Sequence, residues 1–447
     1  MTLDVYVRGR LVAKLDHTRG DEHALTYLPG TASEDFVSLT MPVRTASWVW
    51  RAGLHPFFQM NLPEGYLLSV IRELTGALLD GRDLTLLGVV GRNAIGRVQV
   101  VREGEPLDVV MPGFDPDQVL LGENTEEAFV ALIRKHAYSG VSGILPKFLA
   151  PPEAGGDDAE APRFTKASVR TGRYLVKGLA ERYPGVAVNE WVCLQAARRA
   201  GLETAHGTLS EDGQVLVVER FDVDAEGRPQ LGMEDLCSLL GLRPAEKYDS
   251  TWERVADALR DVVAGAEPQQ RELEKLLRLV VFCLMTRNAD CHTKNIAVVY
   301  STADDVRLSP VYDVFTTAVY DDARFNNFSL SIAGSKSWSP GKRLTAFAQQ
   351  RCGVSAKALA ALVSETAQAL IDTLPDLVRL IRGYAHFETI GKRMLGAWRD
   401  AMDGLLREKS PGNRIARLIE DERFSDPPRP NKAGSLGGSV MPLKPKA

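Results

Sequence analysis

Arg287-Asn-Ala-Asp290-Cys-His-Thr-Lys-Asn295-Ile296 decides how the chain is read. An apolar run, Leu279-Val-Val-Phe-Cys-Leu-Met285, precedes it, and an apolar strand, Ile296-Ala-Val-Val-Tyr300, follows it. The polar segment is therefore a loop held between two core elements. Asp290 and Asn295 stand five apart, the D-x-x-x-x-N spacing of a protein-kinase catalytic loop. Phosphoryl transfer needs a carboxylate to orient the attacking hydroxyl and oxygen ligands for magnesium. Taken alone, an Asp and an Asn five apart are more often turn and cap residues.

The surroundings add the other parts. Downstream, Leu308-Ser-Pro-Val-Tyr-Asp313 offers a second metal-binding acid, against the plainer reading of a turn Asp after Pro310. Upstream, Lys177 ends the β-branched run Tyr174-Leu-Val-Lys, the place of a nucleotide-binding lysine; an exposed strand lysine is the alternative. Glu190 is its candidate ion-pair partner, or else an exposed acid at a helix start. Further upstream, Ser139-Gly-Val-Ser142-Gly143-Ile144-Leu145-Pro146-Lys147 has the small residues that let backbone N–H groups approach phosphate, though taken alone such a stretch is more often a plain turn. Val217-Val-Glu219-Arg220-Phe221 would then pass an adenine, offering backbone hydrogen bonds and an apolar ring. Small-residue loop, strand lysine, helix, connector, helical lobe, D-x-x-x-x-N and second Asp stand in kinase order.

The rest of the chain supports a domain series. Its 447 residues exceed one ordinary core. Apolar residues are 45% and charged residues 25%, an ordinary globular balance. A formal net charge of −4 gives no global basic field for nucleic acid or anionic membrane. No apolar run approaches a bilayer span, no secretory signal is visible, and a cytoplasmic, membrane-free protein is expected. The 5 cysteines lack C-x-x-C spacing, which argues for reduced thiols and against a zinc site or metal hydrolase. The start reads as β-rich, with a hairpin turning at Gly9-Arg10. A Pro- and acid-rich piece over 104–117 looks like a boundary. A mixed lobe follows, with a soft loop over Pro151–Pro162, a strand over Arg173–Lys177, a helix over Asn189–Ala200 ended by Gly201, and strands at His206–Leu209 and Gln214–Phe221. Beyond Leu236 the pattern is mostly helical: Trp252–Val263, Arg271–Arg287, Ala356–Thr373, Asp376–Arg382 and Phe387–Arg407. The Pro-, Gly- and Ser-rich tail is expected to be disordered.

Together with Pro56-Phe-Phe, Asn61-Leu-Pro-Glu-Gly65, Tyr183-Pro-Gly-Val-Ala-Val-Asn-Glu190, Met233-Glu-Asp-Leu-Cys237 and Lys247-Tyr248, these motifs resemble the HipA family from about Asp4 to Leu418. The resemblance implies an α+β fold distantly like the protein kinases: an N-terminal β-rich subdomain (1–104), a mixed lobe with phosphate loop and ATP lysine (118–240), an all-helical catalytic lobe (241–424) and a tail (425–447). It implies a toxin of a type II toxin–antitoxin pair that phosphorylates Ser/Thr with ATP and Mg²⁺. By position, Asp290 is the expected base and Asn295 and Asp313 the metal ligands. The expected nucleotide contacts are Ser142, Gly143, Ile144, Leu145, Pro146, Lys147, Lys177, Glu219, Arg220, Phe221, His292, Thr293, Lys294, Asn295, Tyr312 and Asp313. It also implies silencing by loop autophosphorylation, which adds charge to the phosphate loop and ejects it. The usual serine position reads Gly140 here, so Ser142 is preferred and Ser139 second. Leu145 stands where the family has Gln. The implied partners are a HipB-like helix-turn-helix antitoxin, DNA mainly through it, and a protein substrate such as an aminoacyl-tRNA synthetase or translation factor. A small-molecule kinase of the same fold and a degenerate, non-enzymatic co-repressor are the rival readings.

Overall fold

The structure is a computed structural model that describes residues 1–63, 68, 71, 82–107, 113–141, 167–178, 183–406 and 410–420. Strands β1 (Thr2–Val7) and β2 (Arg10–His17) form the expected hairpin, turned by Arg8 at φ 48° and Gly9 at φ 76°. Positive φ at both central residues gives the turn the twist that a two-residue hairpin needs. β3 (His23–Tyr27), β4 (Trp48–Trp50) and β5 (Val98–Arg102) complete an antiparallel sheet of order β4-β3-β2-β1-β5. Its apolar face, including Leu3, Val5, Leu15 and Val100, buries against Phe57, Phe58 and the helix α1 (Asp83–Val90).

The second unit contains α2 (Glu126–Val141) and a four-stranded sheet of order β6-β7-β9-β8. Its strands are β6 (Ala167–Arg170), β7 (Tyr174–Gly178), β8 (Gly207–Leu209) and β9 (Val215–Glu219). The helix α3 (Val186–Arg199) packs on this sheet through Val188, Val192 and Leu194. Gly201, at φ 79°, closes it in the left-handed conformation read from the sequence.

The third unit is helical, as expected, with one addition to the all-helical lobe. β10 (Gly232–Asp235) pairs with β11 (Ala297–Tyr300), which pairs with β12 (Arg307–Leu308). This small sheet carries the strand that leaves the D-x-x-x-x-N loop. Around it stand α4 (Trp252–Val262), α5 (Ala266–Met285), α6 (Lys342–Gln350), α7 (Ala356–Gly383), α8 (Glu388–Leu405) and α9 (Ser410–Glu420). The two helices expected on either side of Pro375 are one helix of 28 residues. Leu370, Leu374, Leu377 and Ile381 bury along the same helix, and this continuous apolar stripe outweighs the backbone bond that proline removes. Trp252, Phe282, Phe315 and Trp398 are fully buried at the centre of this lobe. Among the described residues no helix is long and apolar enough to cross a membrane. The loop over Ser142–Lys147, the linker over Pro151–Pro162 and the tail lie outside the described residues.

Candidate active site

The catalytic-loop segment starts where α5 stops. Arg287 takes φ 54°, and the Asn288 amide reaches back 2.9 Å to the Cys283 carbonyl. This is a Schellman-type closure with arginine where glycine is usual. The loop is then tied down from several sides. The Asp290 amide bonds Asn288 Oδ1 at 2.9 Å, and the Ala289 amide bonds Thr317 Oγ1 at 2.8 Å. Asn295 Nδ2 donates to the Asp290 carbonyl at 2.7 Å, so the two residues five apart close one turn over each other. Thr293 donates through its hydroxyl to the Lys247 carbonyl at 2.9 Å.

Facing this loop, Lys177 on β7 holds Glu190 of α3 at 2.5 Å and Asp313 at 3.2 Å. Glu190 sits in the second turn of α3 and is 2% exposed, so the exposed helix-start reading does not hold. Its Oε1 also accepts from the Asp313 amide at 3.1 Å. One carboxylate therefore fixes both the lysine and the backbone of the second acid. Asp313 takes φ 54°, a left-handed conformation that Asp tolerates better than most residues.

Lys177, Asp290, His292, Lys294, Asn295, Tyr312 and Asp313 line one cavity of about 500 Å³. Its far wall is apolar, with Leu175, Ala205, Val218, Phe221 and Met233. The N-terminal unit completes it with Met60, Leu62, Pro63 and Ile95. The Tyr312 hydroxyl donates to the Lys294 carbonyl at 2.9 Å. Burial, then the charges of Asp235 and Asp313, hold its phenol far above the usual tyrosine range, so it stays a neutral donor.

Of the expected contacts, Thr293 is absent from the cavity lining, and Glu219 and Arg220 border it with their charged ends engaged by protein. Thr293 is fully buried and turned to Lys247, away from the cavity. Glu219 is exposed and its carboxylate pairs with His206 at 3.1 Å. The buried Arg220 side chain turns from the connector to the N-terminal unit. It binds Asp222 at 2.5 Å and donates to Asn93 Oδ1 at 3.1 Å and to the Ala94 carbonyl at 3.0 Å. Glu219 and Arg220 thus border the cavity beside Phe221 while their charged ends bind protein. Ser139 falls at the end of α2 rather than in a loop, and its side chain, like Ser142, Gly143, Ile144, Leu145, Pro146 and Lys147, lies outside the described residues.

The donor set suits a hard dication. Asn295 spends its amide nitrogen on the Asp290 carbonyl, so its amide oxygen is the atom that could meet a cation in the cavity that Asp313 also lines. Among the described residues, no three His, Cys, Asp or Glu side chains gather as a metal cage. Asn295 and Asp313 are the groups that would hold a magnesium ion here.

Comparison with known proteins agrees with the geometry. The HipA-like C-terminal domain matches residues 139–374, and the HipA N-terminal domain matches residues 3–101. The chain belongs to the HipA family. The Sinorhizobium fredii protein Y4dM is 28% identical over 293 residues, covering 61% of this chain and 66% of its own length, just under two thirds. Y4mE of the same organism is 28% identical over 345 residues, covering 72% of this chain and 78% of its own. The serine/threonine-protein kinase toxin HipA of Shewanella oneidensis is 26% identical over 351 residues, covering 72% and 76%. Among solved structures, the complex of HipA, HipB and operator DNA from Shewanella oneidensis MR-1 shares the fold. It covers 95% of this chain and 96% of that one, with TM-score 0.56 and 16% identity. Sequence reasoning quoted Lys247-Tyr248 and Met233 as family signature and gave them no role; both border the cavity.

Proposed function

We propose that this HipA-family chain is a serine/threonine protein kinase that uses ATP and Mg²⁺, the toxin half of a type II toxin–antitoxin pair. One observation carries the reading: Lys177, fixed by Glu190 and Asp313, shares a cavity with the Asp290–Asn295 turn. In the proposed reaction Asp290 orients the acceptor hydroxyl and takes its proton as the γ-phosphoryl group leaves ATP. Lys177 places its charge on the phosphates. Phe221, Val218 and Met233 sandwich the base, and the connector backbone bonds its edge. Magnesium, when bound by Asn295 and Asp313, neutralises charge on the phosphate oxygens.

The finer expectations belong to the same proposal. The domains divide at 1–104, 118–240 and 241–424. Ser142, or second Ser139, is the silencing phosphosite. A HipB-like antitoxin binds the chain and brings it to DNA, and the substrate is a translation-related protein. The N-terminal unit is the proposed antitoxin contact.

The test is the intact mass of the purified protein after ATP and Mg²⁺, beside Asp290→Ala and Ser142→Ala. One phosphate gained by wild type and absent from Asp290→Ala is the expected result, and its absence from Ser142→Ala as well would place the modification. ATP binding by calorimetry with no phosphate gained would turn the search to small-molecule acceptors. No ATP binding would leave a non-enzymatic co-repressor.

A further inference from the structure

We infer that Tyr248 is the positioning residue for the proposed base: its hydroxyl holds the Asp290 carboxylate in the orientation that receives the acceptor proton. The inference rests on Asp290 being that base. The contact is direct, because the Tyr248 hydroxyl donates to Asp290 Oδ1. The two residues lie 42 apart in the chain, and local sequence does not bring them together.

The surroundings show a built arrangement. Tyr248 follows a 3₁₀ turn, Pro244–Glu246, whose end is docked on the catalytic loop. The Lys247 carbonyl accepts both the Thr293 hydroxyl, at 2.9 Å, and the Thr293 amide, at 3.2 Å. The Tyr248 ring stands edge-on to His292, with centroids 4.8 Å apart. His292 Nε2 in turn lies 3.9 Å from the same Asp290 oxygen. Turn, ring and hydroxyl thus converge on one oxygen of the carboxylate, while Asn295 holds the backbone carbonyl of the same residue. An aspartate has one soft side-chain torsion near the backbone and a second, broad one at the carboxylate. A donor on one oxygen removes that rotation, and catalytic groups must be held within a fraction of an ångström to work. Phenol also keeps its proton near neutrality, so it donates to the carboxylate and does not compete as a base.

The experiment uses the full chain with ATP and Mg²⁺ and follows initial rates of ATP consumption and self-phosphorylation. Tyr248→Phe keeps the ring against His292 and removes only the hydroxyl. Tyr248→Leu removes both, and Asp290→Ala is the control. The expected result is a 10- to 100-fold loss of kcat in Tyr248→Phe, with ATP KM and melting temperature as in wild type. A merely structural residue would move KM and melting temperature together with rate, and that outcome overturns the proposal. So does a Tyr248→Phe enzyme at wild-type rate, which leaves packing alone. A faster Tyr248→Phe enzyme overturns it too, since the hydroxyl would then be blocking the acceptor's place. If Asp290→Ala keeps its rate, or wild type has none, the base reading itself falls, and this inference falls with it. A dead Asp290→Ala beside an unimpaired Tyr248→Phe sinks only the role of Tyr248.

Discussion

Two buried ion clusters flank the same cavity, and they are built for different ends. Arg220 and Asp222 are each 3% exposed at the side chain, and they face each other with two bonds, Nε to Oδ1 at 3.1 Å and Nη2 to Oδ2 at 2.5 Å. The remaining guanidinium donors go to Asn93, Ala94, Thr171 and Gly172, and the Gly96 amide takes Asp222 Oδ2 at 2.7 Å. Charge and hydrogen-bonding capacity are spent on protein, so the cluster is a latch. Lys177 is a single ammonium set between two carboxylates, and it and Asp313 are 14% and 19% exposed. That cluster stands at the cavity wall, with Lys294 in the same lining. A buried pair that saturates itself holds a fold; charged groups left partly exposed at a cavity wall are suited to a ligand.

The sharpest way to break this comparison is Asp222→Ala. It strands a buried guanidinium, and about 3–5 kcal/mol of stability should be lost, read from the urea midpoint of the full chain. A loss under about 1 kcal/mol would mean the latch is as dispensable as a surface pair. Lys177→Ala should cut ATP turnover about a hundredfold, as expected for loss of a charge aimed at the transferring group, and should also lower the melting temperature, because the buried Glu190 carboxylate loses its ammonium partner. Glu190→Gln sharpens the contrast. The amide keeps volume and one acceptor, so Lys177 leans toward Asp313, and turnover should fall about tenfold, a 1.4 kcal/mol change in barrier.

The smallest effect is a pH effect, at the partly buried His55. His55 caps a helical turn by accepting from the Phe57 amide at Nδ1, and burial lowers its pKa to about 4. Unfolded, the imidazole titrates near 6.5. Between these values the unfolded chain binds the extra proton, so stability falls as pH drops from about 6.5 to about 4. Calorimetric melting should show this as a decline of a few degrees that His55→Asn, which can cap but not titrate, removes.

The catalytic-loop pair was legible because its geometry is local: five residues of spacing are enough to close the Asn295–Asp290 turn. Lys177 and Glu190 were legible as a pair of guesses, since a strand and the next helix lie side by side. The partners of the Arg220 side chain were not legible, because they lie in the N-terminal unit. Phe221 lines the cavity, while the neighbouring side chain turns to the N-terminal unit. Tyr248 could be quoted but not interpreted, for its partner is set by how a turn docks rather than by periodicity. The break expected at Pro375 failed for a related reason: local chain stiffness was weighed without the apolar stripe that runs through it.

The latch has a consequence for anything that grips the N-terminal sheet. The strip from Asn93 to Gly96 is bolted to Arg220 and Asp222, and Ile95 between them forms part of the cavity wall. Gly96, at φ 91°, brings this strip so near that an added Cβ would stand 3.1 Å from the Met233 amide nitrogen. A protein that binds the sheet therefore also carries a load onto the wall of the cavity. Squeezing or prying the first hundred residues would act as a throttle on what enters it, with no contact to the reacting atoms at all.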